Sequence, residues 1–260
     1  MPLAFAGKSI SLLLLLLLAL TGAGCRGRQR PGAREGAQGD LLLQAGRFDE
    51  AAEHYRRATE AAPHDAKLGE RHAYALMQSG RLEEAAEALL RTQALVSDVA
   101  RKAETLRNVA FLYLRSSTSE KAERYFLEAL QLAPDDTKSL MWLGELESER
   151  GGARSTRAAP GPEHLEKAIA YYDRVLTVEP ESLLATVNKR IAVLKLIHLR
   201  EEQKQAAERV LAVVRKATTR EQTRERAAQY AQQLAELQSH SALLGDRIKE
   251  LKRQGKTLQP

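Results

Sequence analysis

Apolar residues recur along most of the chain at the three-and-four spacing of an amphipathic helix, with small residues at fixed places among the large ones. The clearest stretch is Gly46-Arg47-Phe48-Asp49-Glu50-Ala51-Ala52-Glu53-His54-Tyr55. It returns as Gly80-Arg81-Leu82-Glu83-Glu84-Ala85-Ala86-Glu87-Ala88-Leu89, every position shifted by 34 residues. Ala51, Ala58 and Ala85 share helical faces with the large Tyr55 and Leu89, so neighbouring helices can approach closely and interdigitate. Gly46 and Gly80 mark turns between paired helices, where the chain leaves a helix through a left-handed residue. One such hairpin cannot cover its own apolar face, so hairpins must stack.

A 34-residue period made of two amphipathic helices resembles the tetratricopeptide-repeat family. The register can be carried through four units. The first has Gly39, Ala51, Tyr55, Ala58 and Pro63, and the second has Ala73, Leu76, Ala85, Leu89 and Thr92, with Ser97 in place of the loop proline. The third has Leu106, Ala110, Tyr113, Ala122, Phe126, Ala129 and Pro134, and the fourth has Leu140, Leu143, Gly144, Ala168, Tyr172 and Pro180. The resemblance implies an all-α fold: a right-handed solenoid of helix hairpins over residues 39–182, closed by C-terminal capping helices. It also implies that certain positions of each first helix face a concave groove. Those positions give Lys67, Glu70, Tyr74, Met77 and Gln78 in the second unit, and Glu104, Arg107, Phe111, Leu114 and Arg115 in the third. The fourth unit gives Lys138, Met141, Glu145, Ser148 and Glu149. Tyr74, Met77, Phe111 and Met141 are then an apolar strip flanked by Arg107 and Arg115, which suits a peptide or a partner helix. Against this stands the reading in which the second half of the chain folds over the strip and covers it. The Lys and Asn set resembling the family's clamp for C-terminal carboxylates is absent from the register, which argues against recognition of a free C-terminus.

The departures from the period are informative. Ala85 and Ala122 are 37 residues apart, which places extra length in the second helix or in a turn around residues 97–101. Ala122 and Ala168 are 46 apart, one period plus an insertion of 12 at residues 151–162. That stretch is rich in Gly, Pro and small residues and reads as a loop, either a tolerated surface insertion or a functional one. Further on, residues 182–199 and 201–214 read as two helices of a degenerate fifth unit over 183–216. Residues 219–240 and 241–254 read as two more, which serve as a cap over 217–260, a sixth unit, or a coiled-coil arm for partner contact.

The beginning of the chain stands apart. Lys8 precedes an apolar run from Ile10 to Leu20, followed by Thr21-Gly22-Ala23-Gly24-Cys25. The run is shorter than the roughly 20 residues of a membrane span and reads as a secretory signal over 1–24. Its end resembles the lipobox of bacterial lipoproteins, which implies lipidation of Cys25; a plain cleaved signal and an uncleaved anchor are the other readings. Residues 25–38, with Arg26, Arg28, Arg30 and Arg34 among glycines, read as a flexible basic tether that lies on anionic headgroups or acts as a solvated spacer. The residue after Cys25 is Arg26, not the aspartate resembling an inner-membrane retention signal, so the expected location is the outer membrane, facing the periplasm.

Composition narrows the function. The chain is 28% charged, but its net charge of +6 is spread over 40 basic and 34 acidic residues. Interleaved charges of this kind are a solvated surface and do not point to nucleic acid. With Cys25 as the one cysteine, no disulfide, zinc or thiol chemistry is expected. The six histidines are scattered without ligand spacing, and phosphate-cradling and serine-nucleophile motifs are absent. The expectation is therefore a non-catalytic, cofactor-free scaffold with a protein or peptide partner in the cell envelope, held to the membrane through its lipid. Resemblance in layout to lipoproteins of pilus, secretion, motility and outer-membrane assembly implies capture of one subunit of such a machine. The alternatives are an adaptor regulating a peptidoglycan hydrolase or protease, and an enzyme with an unrecognised site. Oligomeric state is left open.

Overall fold

The computed structural model describes residues 30–152, 161–214 and 217–258. The signal-like segment, Cys25, the first tether residues and most of the 151–162 insertion lie outside the described residues. Ten helices and no strand are found among the described residues. They divide into two compact units, Met1–Arg81 and Leu82–Pro260.

The first unit holds α1 (Ala33–Gln44), α2 (Phe48–Ala61) and α3 (Ala66–Gln78), with α2 packed on both of the others. Helix α1 begins inside the expected tether, so residues 33–38 are helical. Gly36, which reads as flexibility in the tether, is a close-approach position instead, as is Gly39 of the repeat register. A Cβ on Gly36 would stand 3.0 Å from the Leu68 side chain, and one on Gly39 2.9 Å from the Tyr55 ring. Tyr55 is fully buried and donates to Asp40, and burial, followed by that carboxylate, pushes its phenol up to about 12. Gly46 and Gly80 have φ of 71° and 81°, the left-handed turns the sequence predicts. Asp65 caps α3 by accepting from the Lys67 and Leu68 amides.

The second unit holds α4 (Leu82–Gln93), α5 (Val99–Arg115), α6 (Ser119–Leu132), α7 (Thr137–Gly152), α8 (Pro162–Val178), α9 (Leu183–Val213) and α10 (Ala217–Arg253). Each packs on the next. The extra length between Ala85 and Ala122 falls in the turn before Asp98, which caps α5, and in the 17 residues of α5 itself. Between α5 and α6 the left-handed residue is Ser117, with φ of 62°. The Ser116 and Thr118 hydroxyls hold that turn by donating to the Tyr113 carbonyl. Inside the hairpins the small-against-large scheme is explicit. Ala110 and Phe126 are both fully buried, and a Cβ on Gly144 would lie 2.6 Å from the Tyr172 ring.

Two expectations about the second half need correction. The ends of the 151–162 insertion are helical: α7 runs through Gly151 and Gly152, with Gly151 against Leu165, and Pro162 opens α8, where its missing N–H costs nothing. The four helices expected beyond residue 182 are two long ones, of 31 and 37 residues. Neither contains proline, and the one glycine, Gly245, is packed under the Arg190 guanidinium, so nothing breaks them. Helix α10 returns along α9 and buries Ser241, Leu244 and Leu251 at its far end. Among the described residues no helix is long and apolar enough to cross a membrane.

Candidate functional site

The candidate groove residues fall in both units, and each unit is taken alone. In the first, α3 carries Lys67 and Gln78 exposed, Tyr74 half exposed and Met77 half-buried. Beside Tyr74 on α3, Arg71 reaches back to Asp40 of α1 in an ion pair.

In the second unit the relevant face is made by α5, α7 and α9. Phe111 on α5 is 38% exposed and meets Trp142 on α7, 36% exposed, with ring centroids 5.6 Å apart and planes tilted by 55°. Tilted aromatic pairs of this kind are favourable beyond their buried area. Arg115 is exposed one turn beyond Phe111, and Leu114 is half-buried beside it. Sequence reasoning missed Trp142, because it followed only the inward positions implied by the resemblance. The signal was available, since Trp142 stands where Arg71 stands in the earlier repeat.

This placement reveals a recurring pair between consecutive first helices. Asp40 with Arg71, Phe111 with Trp142, and Glu145 with Asn188 occupy equivalent places. Asn188 Nδ2 donates to Glu145 Oε2 at 3.3 Å. The separations are 31, 31 and 43 residues, the last longer by the 12 inserted ones. The same surface position is therefore filled by an ion pair, an aromatic pair or an amide–carboxylate pair, with the backbone geometry kept.

Three expected groove residues have other engagements. Met141 is partly buried against Ala168, Tyr172 and Ala192, so it belongs more to the core than to an exposed strip. Its side chain fills the gap that the small Ala168 and Ala192 leave. Arg107 is not a free cation: Nη1 pairs with Asp136 at 2.8 Å and Nη2 with Glu104 at 3.5 Å, beside a cleft of about 540 Å³. Glu145 is exposed but already bonded to Asn188.

Helix α9 extends the apolar surface in place of Met141. Ile191 and Leu194 are 44% and 45% exposed, one and two turns after Asn188 on neighbouring positions. Lys195 fixes this part of α9 to α7, donating to the Ser148 carbonyl at 3.1 Å and its hydroxyl at 3.0 Å. The register continued from Pro180 would have reached both residues. The second half therefore adds apolar surface to this face and leaves Phe111 and Trp142 exposed.

Among the described residues no group of three or more His, Cys, Asp or Glu side chains could hold a metal ion. A buried Glu147 links Arg150 and His164, at 3.0 and 2.7 Å, and Arg150 also holds Glu123 at 2.7 Å. This chain of charges ties α6, α7 and α8 together. What the α5–α7–α9 face offers chemically is exposed aromatic and aliphatic contact beside scattered charge, which is binding chemistry.

Comparison with known proteins agrees with this geometry. The tetratricopeptide-repeat profile matches residues 37–100. Among solved structures, a TPR repeats protein from Bacteroides fragilis aligns with a TM-score of 0.56 at 13% identity, covering 86% of this chain and 99% of that one. The MamA protein aligns with a TM-score of 0.50 at 17% identity, covering 81% and 93%. No curated protein matches the chain. Residues 37–100 match tetratricopeptide-repeat sequence, and the stacked helix hairpins of the chain have the fold of these solved repeat proteins.

Proposed function

We propose that the chain is a non-catalytic scaffold that captures a protein segment on the α5–α7–α9 face. The observation that carries this is the Phe111–Trp142 pair, two large rings each more than a third exposed where core packing does not require them. Ile191 and Leu194 supply apolar contact, and the exposed Arg115 and Lys138 supply charge around the rings. Peptides selected from a displayed random library against the whole chain should bind the native protein and not a Phe111→Ser/Trp142→Ser variant. Loss of two aromatic anchors should weaken binding by roughly 30-fold or more, at about 2 kcal/mol for a hot-spot truncation. Helical content and melting temperature should stay nearly unchanged, because both rings are already solvated on one side. Equal binding by the variant would move the site elsewhere, and loss of fold would make the rings core.

In the same proposal the scaffold is lipid-anchored through Cys25 at the outer membrane, facing the periplasm, and its partner is a subunit of an envelope assembly. The support is the apolar run ending in small residues before the single cysteine of the chain. Expressed in a bacterial host, the native chain should fractionate with membranes and incorporate labelled palmitate. Cys25→Ser should lose the label, while retention of label in that variant would remove the anchor from the proposal.

A further inference from the structure

Phe111, Glu145 and Ile191 hold one and the same position of the repeat on α5, α7 and α9. They are 34 and 46 residues apart, the second interval being one period plus the 12 inserted residues. Across the face, that row is apolar, anionic and apolar. Glu145 also follows Trp142 by three residues on α7, and its bonded partner Asn188 precedes Ile191 by three on α9. The carboxylate therefore lies between the ring pair and the aliphatic contact. A segment seated on Phe111 and Trp142 at one end and on Ile191 and Leu194 at the other must pass over it.

Covering that carboxylate raises a desolvation problem. In the uncovered chain Glu145 is exposed, and water solvates its charge. The partner it has is the neutral Asn188 amide at 3.3 Å. Asp40, the carboxylate at the equivalent pair of the first unit, has the Arg71 guanidinium instead. An amide occupies one lone pair and leaves the charge uncancelled. Apolar or neutral atoms laid over Glu145 would strip its water without replacement, whereas a cation replaces that water with a charge-assisted bond.

The remaining charges of the face do not take this role. Outside the ion pairs of Arg107, the face holds Arg115, Lys138 and Lys195 against Glu145 and Glu149, so position decides and not a surplus of either sign. Lys138 is seven residues before Glu145, about 10 Å back along α7. Arg115 holds the repeat position of Glu149, one turn beyond Glu145 and on a different helix. Lys195 is held at the end of α7 by the Ser148 carbonyl and hydroxyl.

We infer that the segment captured on this face carries a lysine or arginine beside its apolar anchor, and that Glu145 selects it. The inference rests on the capture proposed above and adds the chemistry of the partner.

Selection from a displayed random library against the full chain separates the two. Recovered peptides should carry a basic residue next to apolar ones, and glutamine in place of that residue should weaken binding about 10-fold. Against Glu145→Gln, which still offers Asn188 a hydrogen-bonding group, the basic peptide and its glutamine version should bind alike. Asn188→Arg gives Glu145 the kind of partner that Asp40 has and should remove the same preference. Helical content should be unchanged in both variants; should Asn188→Arg disturb α9, Glu145→Gln alone decides. Peptides that need Phe111 and Trp142 but show no preference for a basic residue overturn this inference and leave capture standing. So do acidic peptides held by Arg115 and Lys138, and a basic preference that survives Glu145→Gln. Recovery of no peptide that depends on the rings overturns both.

Discussion

Replacing Gly144 with alanine is expected to destabilise the second unit by about 2 kcal/mol, against the usual gain of about 1 kcal/mol that alanine brings to a helix interior. The added Cβ would stand 2.6 Å from one Tyr172 ring carbon and 2.8 Å from another. Tyr172 is 1% exposed and packed among Ala168 and Ala192, so the ring has nowhere to retreat. Thermal unfolding should show a midpoint lower by about 4–8 °C. Gly152→Ala is the control, because the nearest atom to its Cβ is the Lys195 ammonium at 3.3 Å, which has to give by only a few tenths of an ångström, and it should cost far less than Gly144→Ala. Tyr172→Leu placed on Gly144→Ala should recover part of the loss by removing the ring that clashes. An unchanged midpoint for Gly144→Ala would mean that α7 and α8 pack less closely than described.

Arg150→Ala is expected to cost about 2–3 kcal/mol, from charge left behind rather than from volume lost. The Glu147 side chain is 5% exposed and shares its two oxygens between Arg150 and His164. Without the guanidinium it would keep the imidazole alone, and Glu123 on α6 would lose its partner on α7. Breaking a buried pair from one side is costly because the remaining ion can neither reach water nor find a substitute. Replacing both members, as Arg150→Met with Glu147→Leu, should restore most of the stability, since no buried ion then remains. Urea unfolding of the three variants measures this. A single variant as stable as the native chain would show that His164 alone satisfies Glu147.

Legibility in the sequence followed the physical type of each feature. The repeat was legible because small residues recur against large ones at a fixed period. Gly39 against Tyr55 and Gly144 against Tyr172 are that rule seen in atoms. The turns at Gly46 and Gly80 were legible because only a left-handed residue closes them. The start of α1 was not, because Gly36 reads as flexibility in a string and as contact in a packed helix. Helices α9 and α10 were divided in the reading into pieces of ordinary helix length, although the stretch holds no breaker that enforces a division. In the binding face, Phe111 was legible from register, whereas Trp142 was not, since its role depends on a ring one hairpin away. The fate of Arg107 turned on Asp136, 29 residues further along, and periodicity says nothing about such pairings.

Trp142 is the single tryptophan of the chain, and it lies beside Phe111 on the exposed face instead of in the core. The intrinsic emission of the unlabelled protein therefore reports from one known point on its surface. A segment that covers the Phe111–Trp142 pair would expel water from the indole and shift that emission to the blue, so occupancy of the face can be followed by titration without a dye.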